Sequence, residues 1–221
     1  MTKEEIIAML KCGVRNIPVE TRGLDLRWAN LKGADIRGAD LHGANLREAN
    51  LKEADLRGTN LYGADLHGAD LHGANIRGTN LSWTVLEETD LSVVVLHGAN
   101  LCRANLKGAN LRGTNLEGAD LEEANLHWAK LSGANIRGTK LRWANLHGAD
   151  IRGADLRWAD LCGASLKEAD LRGANLHGAN LEGANLWEAK LHWANISEAK
   201  LSGATLPDGS IVEDDSDETE S

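Results

Sequence analysis

Between Leu26 and Leu206 every fifth residue is leucine or isoleucine, thirty-seven times in succession. Neither a regular helix nor a straight strand can bury such a pattern. On an α-helix five residues advance about 500°, so successive leucines would spiral around the axis. On a strand, five steps of about 180° would send them alternately to opposite faces. The unit reads Ala-(Asp/Asn)-Leu-x-Gly, as in Ala39-Asp40-Leu41-His42-Gly43. Within Ala-Asp-Leu, strand alternation points Ala and Leu to one side and Asp or Asn to the other. The next two residues must bend the chain, and Gly predominates at the second, where a positive φ carries no steric cost. The pattern therefore predicts a short strand and a turn in every repeat, stacked into a solenoid.

The run Ala-(Asp/Asn)-Leu-x-x resembles the signature of the pentapeptide-repeat proteins and covers about four fifths of the chain. The resemblance implies an all-β fold, a right-handed quadrilateral parallel β-helix with four repeats per coil. About nine coils at roughly 4.8 Å would make a rod roughly 43 Å long. Residues twenty apart would then stack directly above one another.

Residues 1–23 lie outside the repeats. Thr2-Lys3-Glu4-Glu5 reads as a capping box, Ile6, Ile7, Met9 and Leu10 supply an apolar side, and Gly13 is a stop. A solenoid end exposes an open strand edge and needs a cover, so this segment is expected to be a helical cap. It lacks the long apolar stretch and cleavage site of a secretion signal. The repeat domain is expected over 24–206. Pro207-Asp208-Gly209 then reads as a turn, with Ile211 in phase to fold back over the last coil, and 207–221 as a turn and a disordered acidic tail. The formal charge of −9 misdescribes the rod, because seven acids lie beyond Leu206 and the remainder carries 26 acids against 24 bases. No apolar run is long enough to span a bilayer. Cys12, Cys102 and Cys162 are odd in number, which points away from a disulfide framework and toward the cytoplasm.

Catalytic chemistry finds little support. All eight histidines follow the core Leu or Ile, where Arg, Lys and Ser also occur. His127 and His147, twenty apart, would stack, but Lys107 and Lys167 continue their column and a zinc ion wants three or four protein ligands. Acid–base work needs a pocket that excludes water, and a rod filled with Leu and Ala has none. The glycines recur at turns rather than in a strand–loop–helix phosphate cradle. No enzyme activity, metal or other cofactor is expected.

Binding surfaces remain. Arg37, Arg57 and Arg77 begin a column continued by His97, Arg137, Arg157 and His177 and interrupted by Glu117. Such a stripe could select a polyanion, but Asp35, Asp55 and Asp155 sit two residues before three of these arginines. The tryptophans scatter over all four corners instead of interleaving with the basic residues, which disfavours nucleic acid. Between Tyr62 and Val95 the outward chemistry changes. Tyr62 and Trp83 fall on one corner in successive coils, and Val85 continues onto the adjoining face in place of Asp or Asn, a candidate partner site. Val95 projects from the opposite face. The leading expectation is a cytoplasmic scaffold for another protein, with no membrane contact, either monomeric or an end-to-end homodimer. The resemblance also implies an alternative, since some members mimic duplex DNA, bind DNA gyrase and protect against quinolones or toxins. This chain departs from that branch in having no Phe, no long projecting loops and a rod close to neutral.

Overall fold

The computed structural model describes residues 2–14 and 23–213. Parts of the expected cap segment and almost all of the acidic tail, 15–22 and 214–221, lie outside the described residues. The repeats form a four-sided coil. Each outward residue bridges in parallel to the residue twenty later, from Asp25↔Asn45 to Asn185↔Thr205 without a gap.

Five backbone N–H groups per repeat need partners, and in a repeat with outward Asp or Asn all five can be met. In the repeat around Leu126, the leucine N–H donates upward to Asn145 O at 2.7 Å and the turn Trp128 N–H donates to His147 O at 3.0 Å. The Asn125 N–H donates downward to Ala104 O at 2.9 Å, and Ala129 N–H closes the turn onto Leu126 O at 2.9 Å. The fifth, on His127, is accepted by the side chain of Asn125 at 3.2 Å. That last bond recurs along the rod, for instance Asp40 to His42 and Asn175 to His177. It explains why Asp and Asn occupy the outward position: their short side chains satisfy the backbone two residues on. Where Val85 and Val95 stand instead, Glu87 and His97 have no such acceptor.

The core is a column of Leu and Ala almost wholly excluded from solvent. Thr replaces Ala at six buried positions, and there the hydroxyl must find a partner. Thr59, Thr79, Thr89, Thr114 and Thr139 each donate to the carbonyl 23 residues earlier at 2.7–2.9 Å, and Thr84 to Leu81 O at 2.6 Å.

The two ends differ. Helix α1 (Lys3–Lys11) carries the expected capping box, with Glu5 N–H donating to Thr2 Oγ1 at 3.2 Å and Thr2 N–H to Glu5 Oε2 at 2.8 Å. Its Ile6 and Leu10 are buried against the first coil. At the other end, Thr205 pairs antiparallel with Ile211, and Gly203 N–H donates to Val212 O at 2.9 Å. This fold-back covers one side of the last coil and leaves the side chain of Ile211 exposed. Leu191, Ala194, Ala199 and Leu201, whose equivalents one coil earlier are buried, are half-exposed here, and Ile196 is 42% exposed. Among the described residues no helix is long and apolar enough to cross a membrane.

Candidate functional site

The stacking register brings Tyr62 and Trp83 to one corner of the rod and Val85 to the face beside it. Tyr62 lies flat against His42, one coil below, with ring centroids 5.0 Å apart and planes 1° from parallel. Trp83 occupies the turn position one coil above and is half-exposed, while Val85 follows onto the next face between Asp65 and Asn105.

The corner continues beyond what the sequence pattern singled out. In this column Gly43 and Gly63 give way to Trp83, Arg103, Glu123 and Trp143, after which Gly163, Gly183 and Gly203 resume. All four replacements sit in the left-handed region, at φ 59°, 59°, 57° and 58°. They form a continuous ridge. The Arg103 guanidinium lies 5.0 Å from the centroid of the Trp83 ring and forks onto Glu123, Nε to Oε2 at 2.8 Å and Nη2 to Oε1 at 2.9 Å. That hydrogen-bonded pair raises the Arg103 pKa and holds the Glu123 carboxyl below its ordinary range. Trp143 closes the ridge by lying over Gly163, where a Cβ would meet the indole at 2.3 Å. Among the described residues no other corner carries more than two such residues in successive coils. The signal that finds Arg103 and Glu123 is the same spacing of twenty applied to the turn position, which makes them neighbours of two tryptophans far away in sequence.

The basic column is a different object. Arg37 and Arg57 fork onto Asp35 and Asp55, two residues before them, with Nε–Oδ1 distances of 2.7 and 2.9 Å, and Arg157 does the same with Asp155 at 2.8 Å. Arg37 Nε also lies 3.6 Å from Asp55 of the next coil. The hydrogen bond from each arginine pulls the carboxyls of Asp55 and Asp155 below their usual range. Arg77 and Arg137 follow Asn75 and Asn135 and lack that fork. The column is thus a series of forked pairs with Arg77 and Arg137 outside them, and Arg137 still acts on the carboxyl of Asp155 one coil above. His127 and His147 stack with centroids 4.9 Å apart, and Trp128 covers His127 at 4.5 Å. Among the described residues no three metal-ligating side chains converge.

Comparison with known proteins follows the same repeats. The family model for pentapeptide repeats matches in eight copies, over residues 25–63, 44–82, 74–112, 99–138, 139–178 and 174–208. The chain is a pentapeptide repeat protein. Its fold is the right-handed quadrilateral β-helix. HetL from the cyanobacterium Nostoc sp. strain PCC 7120, a pentapeptide repeat protein involved in heterocyst differentiation regulation, is 33% identical, with 96% of this chain and 100% of that one covered and a TM-score of 0.63. QnrB1, a plasmid-mediated fluoroquinolone resistance protein, shares 18% identity over 81% of this chain and 88% of its own, with a TM-score of 0.53. At that identity the likeness to QnrB1 speaks to the fold. Comparison with curated protein sequences gives no match.

Proposed function

We propose that this pentapeptide repeat protein is a non-enzymatic scaffold that binds another protein along its side. In this reading residues 1–23 cap the rod, 24–206 form it, and 207–221 are a turn and an acidic tail. The observation that carries it is the corner ridge. Four bulky residues in successive coils accept a strained backbone conformation where Gly would serve folding better, and Trp, Tyr and Arg are the side chains that anchor protein interfaces. The filled Leu/Ala interior supports a rigid binding surface rather than a reaction vessel. The resemblance to HetL supports a regulatory setting. Three free cysteines support a cytoplasmic location.

The charge pattern argues against the DNA-mimic alternative. A mimic needs a sustained negative field, whereas six of the twelve outward aspartates of the rod are forked by the arginine two residues on and the rod is close to neutral. It argues equally against a polyanion site at Arg37 and Arg57, whose charges are already met. We also read the open C-terminal coil as the place where two copies would meet end to end, because α1 closes the other end. Sedimentation equilibrium tests this, with Ile196→Lys expected to give the monomer.

Affinity capture from native cytosol tests the scaffold, at low and high salt and with a chain lacking 207–221 alongside. A protein retained at high salt by both chains, and lost on Trp83→Gly, is the expected result. Recovery of nucleic acid or gyrase alone, released as salt rises, would overturn it.

A further inference from the structure

We propose that the ridge and the face beside it form a seat for one amphipathic α-helix of the partner protein. This rests on the scaffold reading and names what that scaffold grips. The face in question carries Val85, Asn105, Asn125 and Asn145. The ridge walls it on one side. On the other side the next corner raises Glu88 and Trp128, both also left-handed, with Gly108 between them.

The dimensions suit a helix. The ridge spans three coil steps, about 14 Å, which is the rise of about ten helical residues. The face between the corners is three residue steps wide, about 10 Å, close to the diameter of a helix with its side chains. A strand has nothing to pair with here. The N–H groups of Leu106, Leu126 and Asn125 are all taken by neighbouring coils, so the face offers no free sheet edge.

The chemistry of the seat is graded along its length. At one end Val85, Trp83 and Tyr62 are apolar. Further along, the side-chain amides of Asn125 and Asn145 each donate one N–H to the Asn one coil below, at 3.1 and 3.3 Å. For the second N–H of each amide no acceptor is found among the described residues, so this part of the floor has donors to offer acceptor side chains on the helix. Trp143 and Trp128 flank the far end. Arg103 is matched by Glu123, and Lys107 by Glu87 at 3.0 Å, so among the described residues Glu88 is the one charged wall residue without an ion pair. A helix with an apolar face and a polar, acceptor-bearing flank fits this seat, and its binding depends little on salt.

The test places a photo-crosslinking amino acid in the full chain at Lys107, which borders the seat, and at Arg112, on the next face, inside the cells that make the protein. The Lys107 probe is expected to capture one segment of one protein. That segment, made as a peptide, is expected to gain helix on adding the rod and to lose at least about tenfold in affinity for Trp83→Gly/Trp143→Gly. The double variant is expected to melt no lower than the parent, because Gly occupies the same position in the neighbouring coils, so the loss is one of binding. Undiminished affinity in the double variant, or a captured segment that stays non-helical, overturns the proposal. Capture from Arg112 with Lys107 silent keeps the scaffold and sinks the seat. Capture of protein from neither sinks both.

Discussion

Replacing Leu126 by Asp probes the inward face of the repeats most directly. Leu126 is 1% exposed, and its N–H bond to Asn145 and that of Leu106 to Asn125 stack it between Leu106 and Leu146. Its loss forfeits about 1.5–3 kcal/mol of burial. A carboxyl there has no free donor, since the buried polar side chains of the core proper are threonines whose hydroxyls are already committed. Even protonated it costs about 1–3 kcal/mol more. Ionisation adds a further term whose sign is fixed by linkage. Burial raises the folded-state pKa above the unfolded value of about 3.9, so the native state holds a proton that the unfolded chain releases. Stability is therefore lost as pH rises from about 4 toward the folded pKa, at about 1.4 kcal/mol per pH unit. Leu126→Asn is the uncharged control. Urea unfolding of both variants across acid to neutral pH is expected to give similar deficits near pH ~4 and a gap of about 4 kcal/mol near neutrality if the shift reaches about three units. A solenoid confines such damage to adjacent coils, so hydrogen exchange at Leu106 and Leu146 is expected to accelerate before that at Leu46. Parallel pH curves for the two variants, or an Asp variant as stable as the parent, would refute the inward assignment.

The Asp-x-Arg forks give the parent its own acid limb. Asp150, Asp155 and Asp170 are held below the ordinary carboxylate range, first by the hydrogen bond from their arginines. Their contribution is present above the unfolded pKa and is lost as pH falls below about 4 through the folded values; Arg172→Gln is expected to flatten the thermal-melt profile over that window, and an unchanged profile would show the fork to be idle. Gly163 sits at φ +66° beneath Trp143, so Gly163→Ala is expected to cost about 1–2 kcal/mol. It should also red-shift the tryptophan emission as that indole is pushed into water, and an unshifted spectrum with an unchanged melt would place Trp143 elsewhere. Val93 is β-branched at φ 60° and 62% exposed. Relief of that strain outweighs the entropy of the added glycine by about 0.5–1 kcal/mol, so Val93→Gly is expected to raise the melting temperature by about 1–4 °C.

The architecture was legible in the sequence because every repeat poses the same problem and answers it with the same residues. A five-residue period that no single helix or strand can bury leaves a bend per repeat, and the thirty-seven Leu and Ile positions then define the core. The second role of Asp and Asn was harder to see. Alternation places them outward, but only the structure shows Oδ1 accepting the N–H two residues on, which is why Val85 and Val95 cost more than a change of polarity. The basic column misleads for the same local reason. Counted alone, Arg37 and Arg57 look like an anion track, yet an Asp two residues earlier lies within reach of each guanidinium and neutralises it.

The ridge was the least legible part, because its members are ordinary residues until they are laid on the period of twenty. Glu and Trp occur singly at many turn positions, and a lone left-handed Glu such as Glu53 costs little that a long exposed side chain cannot recover by leaning on the Gly one coil above. Trp83, Arg103, Glu123 and Trp143 differ in having no Gly between them. Trp83, Arg103 and Glu123 each have a bulky residue one coil above in place of Gly, only Trp143 lies over a Gly (Gly163), and the fork of Arg103 onto Glu123 satisfies charges that exist only because Gly was replaced. Exposed pairs of that kind return about 0–1 kcal/mol, against a backbone cost of about 1–2 kcal/mol for each left-handed residue. Four such departures at one corner therefore leave a net loss that folding does not recover. Left-handed Trp and Glu occur at the other corners too, but four in successive coils occur at this one among the described residues, and a partner bound to the proposed scaffold explains that concentration.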